Sequence, residues 1–131
     1  MKIQLQQIST SASEAAIRTH RVLIDRPNDK GGTDSGPMGG ELFLASIGGC
    51  FMSTLLAAIH ARNADVSDVR AEVIGTIAET PTRFSSVELN VEAHGSSEEI
   101  ARLVAIADKG CIMMNPLRGV LDVRIRIGAA I

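Results

Sequence analysis

Residues 36–63 read GPMGGELFLASIGGCFMSTLLAAIHARN, and within them Leu42 to Ile59 is an 18-residue run without a charge, with one cysteine, Cys50, halfway along. Three structures satisfy such a run. It could be a membrane span, a buried core helix with an incidental thiol, or a core helix built to present a reactive one. Eighteen residues is the lower limit for crossing a bilayer. Ser46, Gly48, Gly49, Cys50, Ser53 and Thr54 dilute its apolarity, and neither a second span nor an aromatic belt accompanies it. The expectation is therefore a long helix from about residue 40 to 63, apolar all round because it is covered all round. A small domain has difficulty surrounding a helix completely, and a second copy of the chain would solve that problem. Gly48 and Gly49 each cost roughly 1 kcal/mol relative to alanine inside a helix. Close approach of another backbone is the usual reason for such a cost. With Ser46, Ser53 and Thr54 they make a narrow patch that could floor a pocket around Cys50. Tight packing of Cys50 as a small hydrophobe reads the same residues equally well.

Composition limits the partners. The 131 residues fit one domain, 1–131, and 45% hydrophobic with 21% charged residues suits a globular chain with a real core. Three Phe with no Tyr or Trp make that core aliphatic and remove the stacking platforms that single-stranded nucleic acid needs. A net charge of −2, with the basic residues scattered, argues against nucleic acid or an anionic membrane as partner. The opening MKIQLQQIST alternates polar and apolar residues instead of forming an export signal, so a cytoplasmic location with reduced thiols is expected. Cys50 and Cys111 lie 61 residues apart, which is no zinc pattern. In a reducing compartment such a pair is incidental or redox-active.

Around the uncharged helix the chain reads as α+β, with about six strands and two helices. Residues 2–8 alternate as an edge strand, and a second strand runs from about Glu14 to Asp25. Pro27 ends it, and RPNDKGGTDSGPMGG follows as a long polar loop. Two long strands meet around Thr80-Pro81-Thr82; in the second, Phe84, Val87, Leu89 and Val91 mark one face. Ser96 with Glu99 forms a capping box for a second helix, whose apolar stripe is Ile100, Leu103, Val104 and Ala107. Lys109-Gly110 reads as its C-terminal stop. A turn at Asn115-Pro116 leads to a last strand, with Leu121, Val123, Ile125 and Ile127 on one side.

The order of the HRVLID strand, the Gly-rich loop, GELFLASIGGC at the head of a long helix and IADKGCIMMNPLRGVLDVRIRI near the end resembles the OsmC-like family. The resemblance runs from about residue 18 to 127. That family includes organic hydroperoxide reductases and osmotically inducible peroxidases. It implies an OsmC-like fold in an intertwined homodimer, with a reactive cysteine on the central helix facing the subunit interface. Cys50 would then be the peroxidatic cysteine and Cys111 the resolving one, closing an intramolecular disulfide that a dithiol reductant, in the family often lipoyl-linked, reopens. The substrate would be a hydroperoxide, with no metal and no organic cofactor. A non-catalytic dimer that binds a small apolar ligand at its interface pocket is the alternative within the same family.

Activation of Cys50 needs a cation from elsewhere, because at two and a half turns into the helix the macrodipole has faded. The family's peroxidases use an arginine; Arg18, Arg21 and Arg26 are the candidates here, Arg21 and Arg26 foremost. Cys111 follows a helix C-terminus, whose unpaired carbonyls disfavour a thiolate. The family peroxidases carry glutamate ten residues before the reactive cysteine, where this chain has Gly40, and proline after the second cysteine, where it has Ile112. Glu41 sits nine before Cys50; nine residues is about 900° of helix, which turns it away from the thiol. It is a candidate catalytic partner that reads more readily as a first-turn acid. His20, His60 and His94 form no triad or metal cluster at these spacings.

Overall fold

A computed structural model describes residues 1–128. Its elements run β1 (Gln4–Gln7), β2 (Ser13–Ile17), β3 (His20–Ile24), α1 (Gly39–Ala61), β4 (Ser67–Ala78), β5 (Arg83–His94), α2 (Ser97–Gly110) and β6 (Asp122–Ile127). Short 3₁₀ turns stand at Asn28–Lys30 and Asn115–Leu117. Six strands and two helices make the expected α+β fold. The residues group into two compact units, Met1–Phe43 and the chain from Leu44 on, with the boundary inside α1.

The first unit is an antiparallel meander in the order β1-β2-β3. The sequence suggested one strand over Glu14–Asp25; the structure breaks it into β2 and β3 at Arg18-Thr19, with Arg18 at φ 55. An arginine in the left-handed region is uncommon and leaves no composition signal. After β3 the chain is organised by one side chain. Asp25 is only 3% exposed, and its carboxylate accepts five hydrogen bonds. The donors are the backbone N–H of Arg26 at 2.7 Å, Thr33 at 3.1 Å and Ser35 at 3.2 Å, with the Thr33 and Ser35 hydroxyls at 2.8 Å each. These bonds, led by the Thr33 hydroxyl, hold the Asp25 carboxyl well below the usual carboxylate range in spite of burial, which acts the other way.

The second unit carries the aliphatic core. In its sheet, β5 pairs antiparallel with β4 and parallel with β6, and α2 lies in the crossover between β5 and β6. The alternation in β5 buries Val87, Leu89, Val91 and Ala93 completely or nearly so. The α2 stripe of Ile100, Leu103, Val104 and Ala107 is buried as the spacing requires, and the Ser96 hydroxyl accepts the Glu99 N–H at 3.2 Å.

The uncharged helix is not surrounded within one chain, the difficulty expected of a small domain. Only Ile47, Gly48, Phe51, Leu55 and Ala58, one stripe of α1, are buried; Ala45, Ser46, Gly49, Ser53, Leu56 and Ala57 are exposed, Leu56 at 51%. The chain does not cover its own helix all round. By length and composition alone this helix could cross a membrane. The two glycines also separate. A methyl group on Gly48 would come within 2.7 Å of a Val73 methyl in β4, so the close neighbour is a side chain, whereas Gly49 meets nothing within 4 Å.

Candidate active site

Thr54, one turn beyond Cys50 on α1, donates its hydroxyl to the Cys50 carbonyl at 3.0 Å. Cys50 is half-buried and Cys111 buried; both are free, and the two side chains are near enough for Cys50 to act on the Cys111 thiol. The fold thus brings together two side chains separated by 61 positions, one partly open to solvent and one fully buried, at 0% exposure.

Cys111 is placed by the end of α2. Gly110 is still helical, and Cys111 itself is the extended C-cap, with φ −77 and ψ 110. The expected glycine stop is therefore not what ends the helix. From Cys111 the chain folds back over the last turn of α2. The Asn115 side chain donates to the Lys109 carbonyl at 3.0 Å, and the Arg118 guanidinium donates to the Asp108 carbonyl at 3.3 Å and pairs with its carboxylate. These bonds satisfy carbonyls that a helix end leaves open.

The Cys111 thiol is pushed up from its ordinary value. Burial is the main cause and hydrogen bonding with Cys50 the second, while the Met114 and Met113 N–H groups pull the other way. The sequence pointed to open helix carbonyls as the cause; the structure replaces them with burial, since Asn115 and Arg118 take two of those carbonyls. Burial thus disfavours the Cys111 thiolate, while the two N–H groups favour negative charge on its sulfur.

The remaining candidate catalytic residues, Glu41, Arg21 and Arg26, lie in the first unit. Glu41 accepts the Met38 N–H at 2.9 Å, a helix N-terminal bond consistent with its reading as a first-turn acid. Arg21 sits 3.5 Å from the Glu14 carboxylate and donates to the His20 carbonyl at 3.1 Å. Arg26 takes no carboxylate partner among the described residues, and its backbone is fixed by Asp25. Asp25 was not singled out from the sequence. Its partners stand eight and ten residues downstream, and only the Thr-Asp-Ser run after the glycines hints at a cluster of donors. His94 pairs with Asp68 at 2.9 Å. No group of three or more His, Cys, Asp or Glu is arranged for a metal among the described residues.

The class is an α+β protein with a half-buried thiol on one helix near a buried one at the close of the second. The OsmC-like protein family model matches residues 32–126, most of the chain, and this protein belongs to that family. No curated protein matches it. Among solved structures, an OsmC-like protein from Mycoplasma pneumoniae is 19% identical with a TM-score of 0.86, over 99% of this chain and 96% of that one. An organic hydroperoxide resistance protein from Elizabethkingia anophelis is 23% identical with a TM-score of 0.74, covering 98% and 96%. The Bacillus subtilis organic hydroperoxide resistance protein OhrB is 21% identical with a TM-score of 0.68, covering 98% of each chain. At these identities the likeness is one of fold.

Proposed function

We propose that this OsmC-like protein is a thiol-dependent peroxidase that reduces organic hydroperoxides or hydrogen peroxide. The observation that carries the reading is the nearness of the Cys50 and Cys111 side chains in the reduced chain, with Cys50 the more accessible. The thiolate of Cys50 attacks the distal peroxide oxygen and the O–O bond breaks. The alkoxide leaves and takes up a proton as alcohol (water, from hydrogen peroxide), and Cys50 becomes the sulfenic acid. Cys111 then attacks the Cys50 sulfur as thiolate; the S–S bond forms and hydroxide leaves as water. A dithiol reductant, such as a lipoyl-linked one, attacks the disulfide and restores both thiols.

The remaining assignments belong to the same reading. Arg26 is the stronger candidate for the cation that favours the Cys50 thiolate, because Arg21 is shared with Glu14. Glu41 supports the start of the helix that carries the nucleophile. The apolar, uncovered side of α1 favours a homodimer over a lone chain, the second copy covering what this one leaves open. The protein works in the cytoplasm as a single domain, without a cofactor.

The test is turnover. Hydroperoxide consumption with dihydrolipoamide as reductant is expected to proceed catalytically, to vanish in Cys50→Ser, and to fall to a slow residual rate in Cys111→Ser. Wild-type protein that consumes no more peroxide than Cys50→Ser would end the proposal.

A further inference from the structure

Gly110 is helical and has no positive φ, so no backbone geometry demands glycine there. Alanine would favour the helix. The reason lies across the contact: a Cβ at residue 110 would come within 3.0 Å of the Thr54 methyl. That methyl cannot swing away freely, because the Thr54 hydroxyl is held by the Cys50 carbonyl at 3.0 Å. A short chain of contacts therefore runs from the Cys50 backbone through Thr54 to Gly110, whose next residue is Cys111. A side chain at 110 therefore crowds Thr54 by a few tenths of an ångström, next to the position of Cys111.

We infer that Gly110, seated on Thr54, is the positioning residue that sets the approach of Cys111 to Cys50. The inference rests on the redox-pair reading but not on a peroxide substrate. A displacement of a few tenths of an ångström leaves each thiol intact and weakens only the bond between them. Disulfide geometry is narrow enough to register it.

The experiment measures the Cys50–Cys111 disulfide in buffers of reduced and oxidised glutathione, beside trapping of the Cys50 sulfenic acid by dimedone after hydroperoxide. Gly110→Ala is expected to need about a tenfold more oxidising buffer for the same disulfide fraction. Dimedone labelling of Cys50 is expected to rise, because resolution slows while the first attack does not. Adding Thr54→Ser removes the opposing methyl, keeps the hydroxyl, and is expected to restore the wild-type ratio. Gly110→Ser shares the Cβ and should repeat the loss, with thermal melts showing that each variant is folded. A disulfide equilibrium in Gly110→Ala equal to wild type, a loss that Thr54→Ser does not reverse, or a wild-type chain that forms no disulfide in glutathione would each overturn the inference. Wild type that forms the disulfide in glutathione, loses it in Gly110→Ala, yet ignores hydroperoxide would instead overturn the peroxidase reading and leave this one standing.

Discussion

In the first unit one carboxylate, Asp25, gathers a loop through five directional hydrogen bonds, whereas in the second the elements that carry the thiols bury apolar side chains, Phe51, Leu55, Leu103 and Met114 among them. The two arrangements fail in different ways. A hydrogen-bonded hub depends on charge, so pH and isosteric loss of charge disturb it while small changes of volume elsewhere do not. A packed core has no charge to lose but registers single methyl groups. Polar precision thus stands at Asp25 and steric precision in the core of the second unit.

The largest effect should follow from emptying the steric side. Phe51→Ala is expected to cost about 3–5 kcal/mol, read as a lower denaturant midpoint. A loss under about 1 kcal/mol would mean that the core collapses around the gap. On the polar side, Arg26→Ala is expected to slow sulfenic acid formation at Cys50 about tenfold at neutral pH. Arg21→Ala, already shared with Glu14, should do much less. Equal effects of the two would erase the distinction drawn between them.

Asp25→Asn keeps the shape of the hub and removes its charge, so it should lower the melting temperature at neutral pH and flatten the acid side of the stability curve. The Asp25 carboxyl is depressed in the folded chain, so its stabilisation is present above the ordinary value of 3.8 and lost as pH falls below it. Wild type should therefore lose more stability than Asp25→Asn between about pH 5 and pH 2. The smallest expected effect is Ser96→Ala, which removes the N-cap of α2 at a cost of about 1 kcal/mol without altering the thiol contact.

Much of the second unit was legible because its signals are local and periodic. The Val87, Leu89 and Val91 alternation and the α2 stripe each state their own buried face. Other features depend on residues far apart in sequence or on another molecule. The charge-free α1 reads as buried on every side, yet apolarity records only that a surface seeks cover, not which surface provides it. The break at Arg18 has no glycine, asparagine or proline to announce it. Asp25 looks like any strand-ending acid until Thr33 and Ser35 fold back on it. At the site, both cysteines were visible through the family resemblance. The effect of the Met113 and Met114 N–H groups on Cys111 was not, because it depends on how the chain turns after α2. Gly110 looked like a helix stop because its neighbour Thr54 is 56 positions away.

The thiol contact is most directly tested by peptide mapping under non-reducing conditions, after one equivalent of tert-butyl hydroperoxide is added to the fully reduced protein. A single intrachain Cys50–Cys111 disulfide, formed promptly and absent from Cys50→Ser, is the predicted result. Folded protein with both thiols unreacted, or with Cys50 oxidised and Cys111 still free, would contradict it.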